Sequence, residues 1–96
     1  MNKRFVHRLM SITVDDFYRR LPAALDSYQY KLYEHRIVIL VENKQIQINL
    51  AIMPDHVCGA LSLPVLAVDI DFADISDDSV QEFLMKFDRP YQRGGG

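Results

Sequence analysis

From residue 45 to residue 85 the chain has no lysine and no arginine, although seven Asp/Glu fall in that stretch. Residues 1 to 44 carry eight Lys/Arg against five Asp/Glu, and the last eleven residues carry three against one, so a net charge of -2 conceals three blocks of alternating sign. A surface for nucleic acid would draw on Lys3, Arg4, Arg8, Arg19 and Arg20. Neither an overall basic charge nor an interleaved aromatic platform accompanies them, which argues against nucleic-acid binding. Blocks of this kind predict that basic and acidic surfaces meet within the fold or across a dimer.

Other scarcities exclude further classes. A single cysteine, Cys58, rules out an internal disulfide and fits a reducing, cytoplasmic setting. Three of the four glycines stand at the C-terminus, so no glycine-rich phosphate loop can follow a strand. No stretch approaches the roughly 20 apolar residues of a membrane helix, and the longest run, Ile37 to Val41, suits a strand. Met1 to Arg4 is basic, but His7 and Arg8 interrupt any apolar region behind it, so no signal peptide is expected. A length of 96 residues, with a hydrophobic share of 49% and a charged share of 25%, is that of one globular domain.

What is present is a pattern used twice. Ile12-Thr13-Val14-Asp15-Asp16-Phe17 and Ile75-Ser76-Asp77-Asp78-Ser79-Val80 each place a hydroxyl cap after an apolar residue and before an acidic first turn. The hydroxyl accepts from an unpaired N–H, the carboxylates suit the positive end of the helix dipole, and the flanking apolar pair forms a hydrophobic staple. The first helix carries Val14, Phe17, Tyr18, Leu21 and Leu25 at helical spacing, and Pro22 predicts its end near Leu21 or a kink. The second carries Val80, Phe83, Leu84 and Phe87 on one stripe, with Pro90 expected to close it.

The rest reads as strands. Phe5 to Ile12 comes first, with Phe5, His7 and Leu9 on one face and Val6, Met10 and Ile12 on the other. Tyr28 to Tyr33 and Arg36 to Val41 flank a tight Glu34-His35 turn, and Glu42-Asn43-Lys44 makes a second turn in which Asn43 takes the left-handed conformation. Next, Ile46, Ile48, Leu50 and Ile52 alternate with Gln45, Gln47 and Asn49, one face core and the other wet. Met53 to Gly59 is predicted as a loop, and Ala60 to Phe72 as a long strand with a bulge or edge position at Pro64. The predicted fold is α+β: a single-domain antiparallel sheet of four to five strands with two helices packed on one face, in the order β-α-β-β-β-β-α. Residues 1–90 form this domain and 91–96 a flexible, glycine-rich tail.

No constellation reads as catalytic. Met53, His56 and Cys58 bring soft ligands within six residues, but a plug, a lone imidazole and a small buried thiol account for them, and no second cluster adds ligands. Asp69 and Asp71 share a strand face with Asp74, Asp77 and Asp78 close behind, without the glycine turn and downstream glutamate of a calcium loop. His7, His35 and His56 are dispersed, and a Cys/His nucleophile pair would lack an orienting group. The chain is therefore expected not to be an enzyme, with no catalytic, cofactor or metal residues.

The end, Arg89-Pro90-Tyr91-Gln92-Arg93-Gly94-Gly95-Gly96, resembles the termini of ubiquitin-like modifiers and sulfur carriers over three or four residues. That resemblance implies a carrier acting through its C-terminal carboxylate, although those proteins are β-grasp folds whose tail follows a strand, whereas here it follows a helix. The leading expectation is a non-enzymatic protein-interaction module, binding a partner or itself through its acidic residues 69 to 82, its basic tail, or an apolar groove between sheet and helices. The alternatives are the glycine-tail carrier and a small-ligand binder using that groove.

Overall fold

The structure is a computed structural model and describes residues 4–94. Its elements are β1 (Phe5–Met10), α1 (Val14–Ala24), β2 (Gln29–Tyr33), β3 (Arg36–Val41), β4 (Lys44–Cys58), β5 (Leu61–Asp71) and α2 (Asp77–Gly94). The fold class is α+β in the predicted order. One five-stranded antiparallel sheet has the spatial order β1-β5-β4-β3-β2, a meander of four strands with β1 brought to the far edge beside β5.

Both helix starts form as their side chains dictate. Thr13 Oγ1 accepts from Asp16 N at 3.1 Å, and Ser76 Oγ accepts from Ser79 N at 3.2 Å. Neither proline ends its helix, which corrects the stop expected at Pro90 and, of the two expectations at Pro22, the end near Leu21. α1 continues past Pro22 to Ala24, and α2 continues past Pro90 to Gly94. Each proline removes one internal hydrogen bond, and tertiary packing keeps the chain helical beyond it. Beyond Pro90, Tyr91 stacks on Phe17 with ring centroids 5.0 Å apart and donates its hydroxyl to the Phe17 carbonyl at 2.9 Å. Arg20 Nη1 donates to the Pro90 carbonyl at 3.1 Å. Tyr91 to Gly94, expected in a tail, are thus part of α2, while Gly95 and Gly96 lie outside the described residues.

The core lies between the helices and one sheet face. Ile37, Ile39, Ile46, Ile48, Val68 and Ile70 line that face, and Phe17, Leu21, Phe83 and Phe87 cover it from α1 and α2. A run of rings, Phe72 to Phe83 to Phe87 to Tyr91, crosses this layer with neighbouring centroids 5.5, 5.6 and 5.2 Å apart. Val6 and Met10 turn toward the core and Phe5 and Leu9 away, which fixes the register of β1.

The expected loop over Met53 to Gly59 is not a loop. β4 runs on to Cys58 and pairs with β5 as far as Cys58↔Leu61. A bulge between Met53 and His56 sets Pro54 and Asp55 against Pro64, so the prolines that suggested a break sit where two residues oppose one. Gly59, at φ 61°, opens the two-residue turn to Leu61. Ile52, expected in the core row, is exposed at the margin of the core, where it lines an open cleft with Ile12 and Val14.

Candidate functional site

The far half of the β4–β5 hairpin leaves the body of the protein as an arm. β3 pairs with β4 only as far as Asn49, and β1 pairs with β5 only from Leu66 onward. Past those points both outer edges of the hairpin are unpaired among the described residues, over 51–58 on β4 and 61–65 on β5. At about 3.3 Å per residue the arm is roughly 25 Å long, which accounts for overall dimensions of 47 × 25 × 24 Å.

Every residue from 51 to 63 is exposed, and many are apolar. The register sorts them into two faces. On the side continuous with the core face lie Ile52, Val57 and Pro64, with Ser62 donating to Asp55 Oδ2 at 2.9 Å. On the side away from the helices lie Met53, Leu61, Leu63, Val65, His56 and Cys58, continued across the sheet by Ala51, Ala67 and Leu9. Ile52, Val57 and Leu61 are 65%, 67% and 64% exposed. A two-stranded ribbon with both edges open is marginal in water by itself. Exposed, apolar, unpaired strand edges are what sheet proteins ordinarily guard against.

The sequence-predicted residues fall into place around this arm. His56 and Cys58 do share one face, with Met53 on the same side below the bulge, but they sit on an exposed strand opposite Leu63 and Leu61. Among the described residues no group of three or more His, Cys, Asp or Glu is arranged to hold a metal ion. The acidic residues are distributed rather than gathered. Asp69 pairs with His7 on the outer face, Asp71 Oδ1 accepts from Ala73 N at 2.9 Å, Asp74 meets Lys44 at 3.0 Å, and Asp77 pairs with Arg4. Lys44 holds the Asp74 carboxyl below the usual carboxylate range. Asp88, beyond the acidic block, pairs with Arg8.

Acids of the later sequence thus meet bases of the earlier sequence inside one molecule, as the charge blocks predicted. Of the six acids in the expected docking surface over 69 to 82, Asp69, Asp71, Asp74 and Asp77 make these contacts and Glu82 pairs with Lys86 at 2.9 Å, while Tyr91 of the expected tail is packed on α1. Burial raises the Tyr91 phenol far above its ordinary pKa of 10.0. Between sheet and helices lies the side-chain core, and at its edge an apolar cleft of about 230 Å³ opens between the start of α1 and the base of the arm, lined by Ile12, Val14, Ile52, Met53, Pro64 and Leu66. A further cleft, about 450 Å³, opens at the margin of β1, α1 and α2, lined by Arg8, Met10, Ser11, Arg20, Asp88 and Tyr91.

The chain matches no family model, no curated protein and no solved structure with which it was compared.

The arm went unread because Pro54, Asp55 and Gly59 are loop signals, and each in fact marks the bulge or the turn of one continuous hairpin. Alternation carries part of the signal: Leu61, Leu63 and Val65 share one parity along β5, whereas Ile52 and Val57, five apart, fall on one face only because the bulge adds a residue, which the sequence does not display.

Proposed function

We propose that this chain is a non-enzymatic protein-interaction module whose binding surface is the β4–β5 arm. The observation carrying the reading is the unbroken exposed run from 51 to 63, apolar on both faces and unpaired on both edges. Such a ribbon gains stability when another protein covers it, through burial of Ile52, Val57, Leu61 and Leu63 and through backbone pairing along its edges. The non-catalytic part of the reading is supported by the carboxylates singled out in the sequence. Asp69, Asp74 and Asp77 each have a basic partner, and Asp71 holds a turn.

The test is the mass of the untagged protein as it exists in its own host, measured by native mass spectrometry beside a Val57→Asp/Leu61→Asp double variant. The wild type is expected in an assembly heavier than 11.1 kDa and the variant as the 11.1 kDa monomer. A wild type found only as bare monomer, or an assembly indifferent to both charges, overturns the reading.

A further inference from the structure

We infer that the partner of the arm is a second copy of this chain, docked face to face across the sheet surface that points away from the helices; the inference rests on the arm being a binding surface. That surface changes character along its length. Over the body its two central strands are polar and charged, with Gln47, Asn49, Asp69 and Asp71, and these separate the apolar side chains that flank them, Phe5 on β1 and Val38 and Leu40 on β3. Toward the tip it becomes Ala51, Met53, Val65, Leu63 and Leu61, flanked by Leu9 of β1. The boundary falls where β3 and β1 stop, so the apolar part is the part that projects.

Three properties favour a second copy over an unlike partner. The patch carries no Asp, Glu, Lys or Arg, so it offers nothing for a basic or acidic partner to pair with and can oppose itself without repulsion. It is a flat strand surface, and two such surfaces stack about 10 Å apart with strands within about 30° of each other. A two-fold axis near Met53 and Leu63 would lay the arms antiparallel and set the Leu61 end of each over Leu9 and Ala51 of the other, closing the assembly at two. The area suffices, because the patch with Leu9 amounts to roughly 600 Å² on each copy and roughly 1,200 Å² in all, the lower bound of a specific interface. The face on the helix side, with Val57 and the Asp55 carboxylate, stays outside this contact.

Sedimentation equilibrium of the purified full chain tests this between about 1 and about 300 µM, the range in which an interface of that size should titrate. The mass should rise from 11.1 kDa toward twice that value. Leu61→Asp, at a site 64% exposed in the free chain, should weaken association by about 100-fold or more, since two-fold symmetry buries the new charge twice. Its circular dichroism and melting temperature measured at low concentration should match the wild type, and Val57→Asp should leave the dimer intact. A chain that stays monomeric throughout while the host assembly persists overturns self-association and leaves the arm as a surface for a different protein. A monomer in both settings overturns both readings. A dimer broken by Val57→Asp, or untouched by Leu61→Asp, overturns the assigned face.

Discussion

Glu42 does two things that an exposed turn residue seldom combines. Its backbone is left-handed, at φ 54°, as is that of Asn43 beside it at φ 60°, the pair of positive angles that a two-residue hairpin turn demands. For a glutamate this conformation is strained. Its carboxylate reaches α2, where it accepts from the Ser76 and Ser79 hydroxyls and from Ser76 N at 3.2 Å. These donors hold the carboxyl below its ordinary value of 4.5. At neutral pH the group is ionised whether the chain is folded or not, and its hydrogen bonds stabilise the fold. As the pH falls through 4.5 the unfolded chain takes up its proton first, so this contribution declines until the folded carboxyl protonates as well. Glu42→Gln should therefore lower the urea midpoint at pH 7 and flatten the loss of stability below pH 4.5. Identical acid slopes for the two proteins would exclude the cap as a source of the acid sensitivity. Asn43 was legible in the sequence as a turn residue; the reach of Glu42 to Ser76 was not, because it joins residues 34 apart.

At the level of single elements, the caps, stripes and tight turns were readable and the helix ends were not. Thr13 and Ser76 start helices because a hydroxyl at that position meets a local need that sequence alone displays. Pro22 and Pro90 signal a stop just as locally, but a lost hydrogen bond is outweighed when the next turn buries a ring such as Tyr91. Three substitutions separate these effects. Pro22→Ala restores an N–H donor on an exposed helix position and should stabilise the protein by about 1 kcal/mol in chemical denaturation. Tyr91→Ala removes the stacking on Phe17 and the bond to its carbonyl and should cost about 2 kcal/mol or more, with Tyr91→Phe costing about half as much. An indifferent Tyr91→Ala would mean that the last turn of α2 contributes nothing to the core. The arm was missed for the converse reason. Its bulge and turn use the residues that loops use, and only pairing with β5, a tertiary fact, tells a bulged strand from a loop.

Considered as a whole, the molecule is a compact body with one projecting ribbon, and the two should be separable. Replacing residues 54 to 64 by Asn-Gly joins the Met53↔Val65 pair through a two-residue turn and leaves the core row from Ile46 to Leu50 opposite Leu66 to Ile70 untouched. The shortened chain should melt cooperatively, within about 1 kcal/mol of the wild-type monomer, and should have lost any assembly. A collapse of the fold would show that the arm supports the body. The place of β1 in the sheet also gives the protein a timetable. Phe5 pairs with Asp71, and Phe72 N donates to the Arg4 carbonyl at 2.9 Å, so the earliest strand of the sheet is matched by its latest. At usual rates of translation roughly 3 to 13 s separate the two. Throughout that interval the nascent segment from Phe5 to Met10 has no strand to join, while β2, β3 and β4 can close their local hairpins as they emerge. Folding of the sheet should thus finish at β1, where a chaperone that shelters nascent chains would meet Phe5 and Leu9.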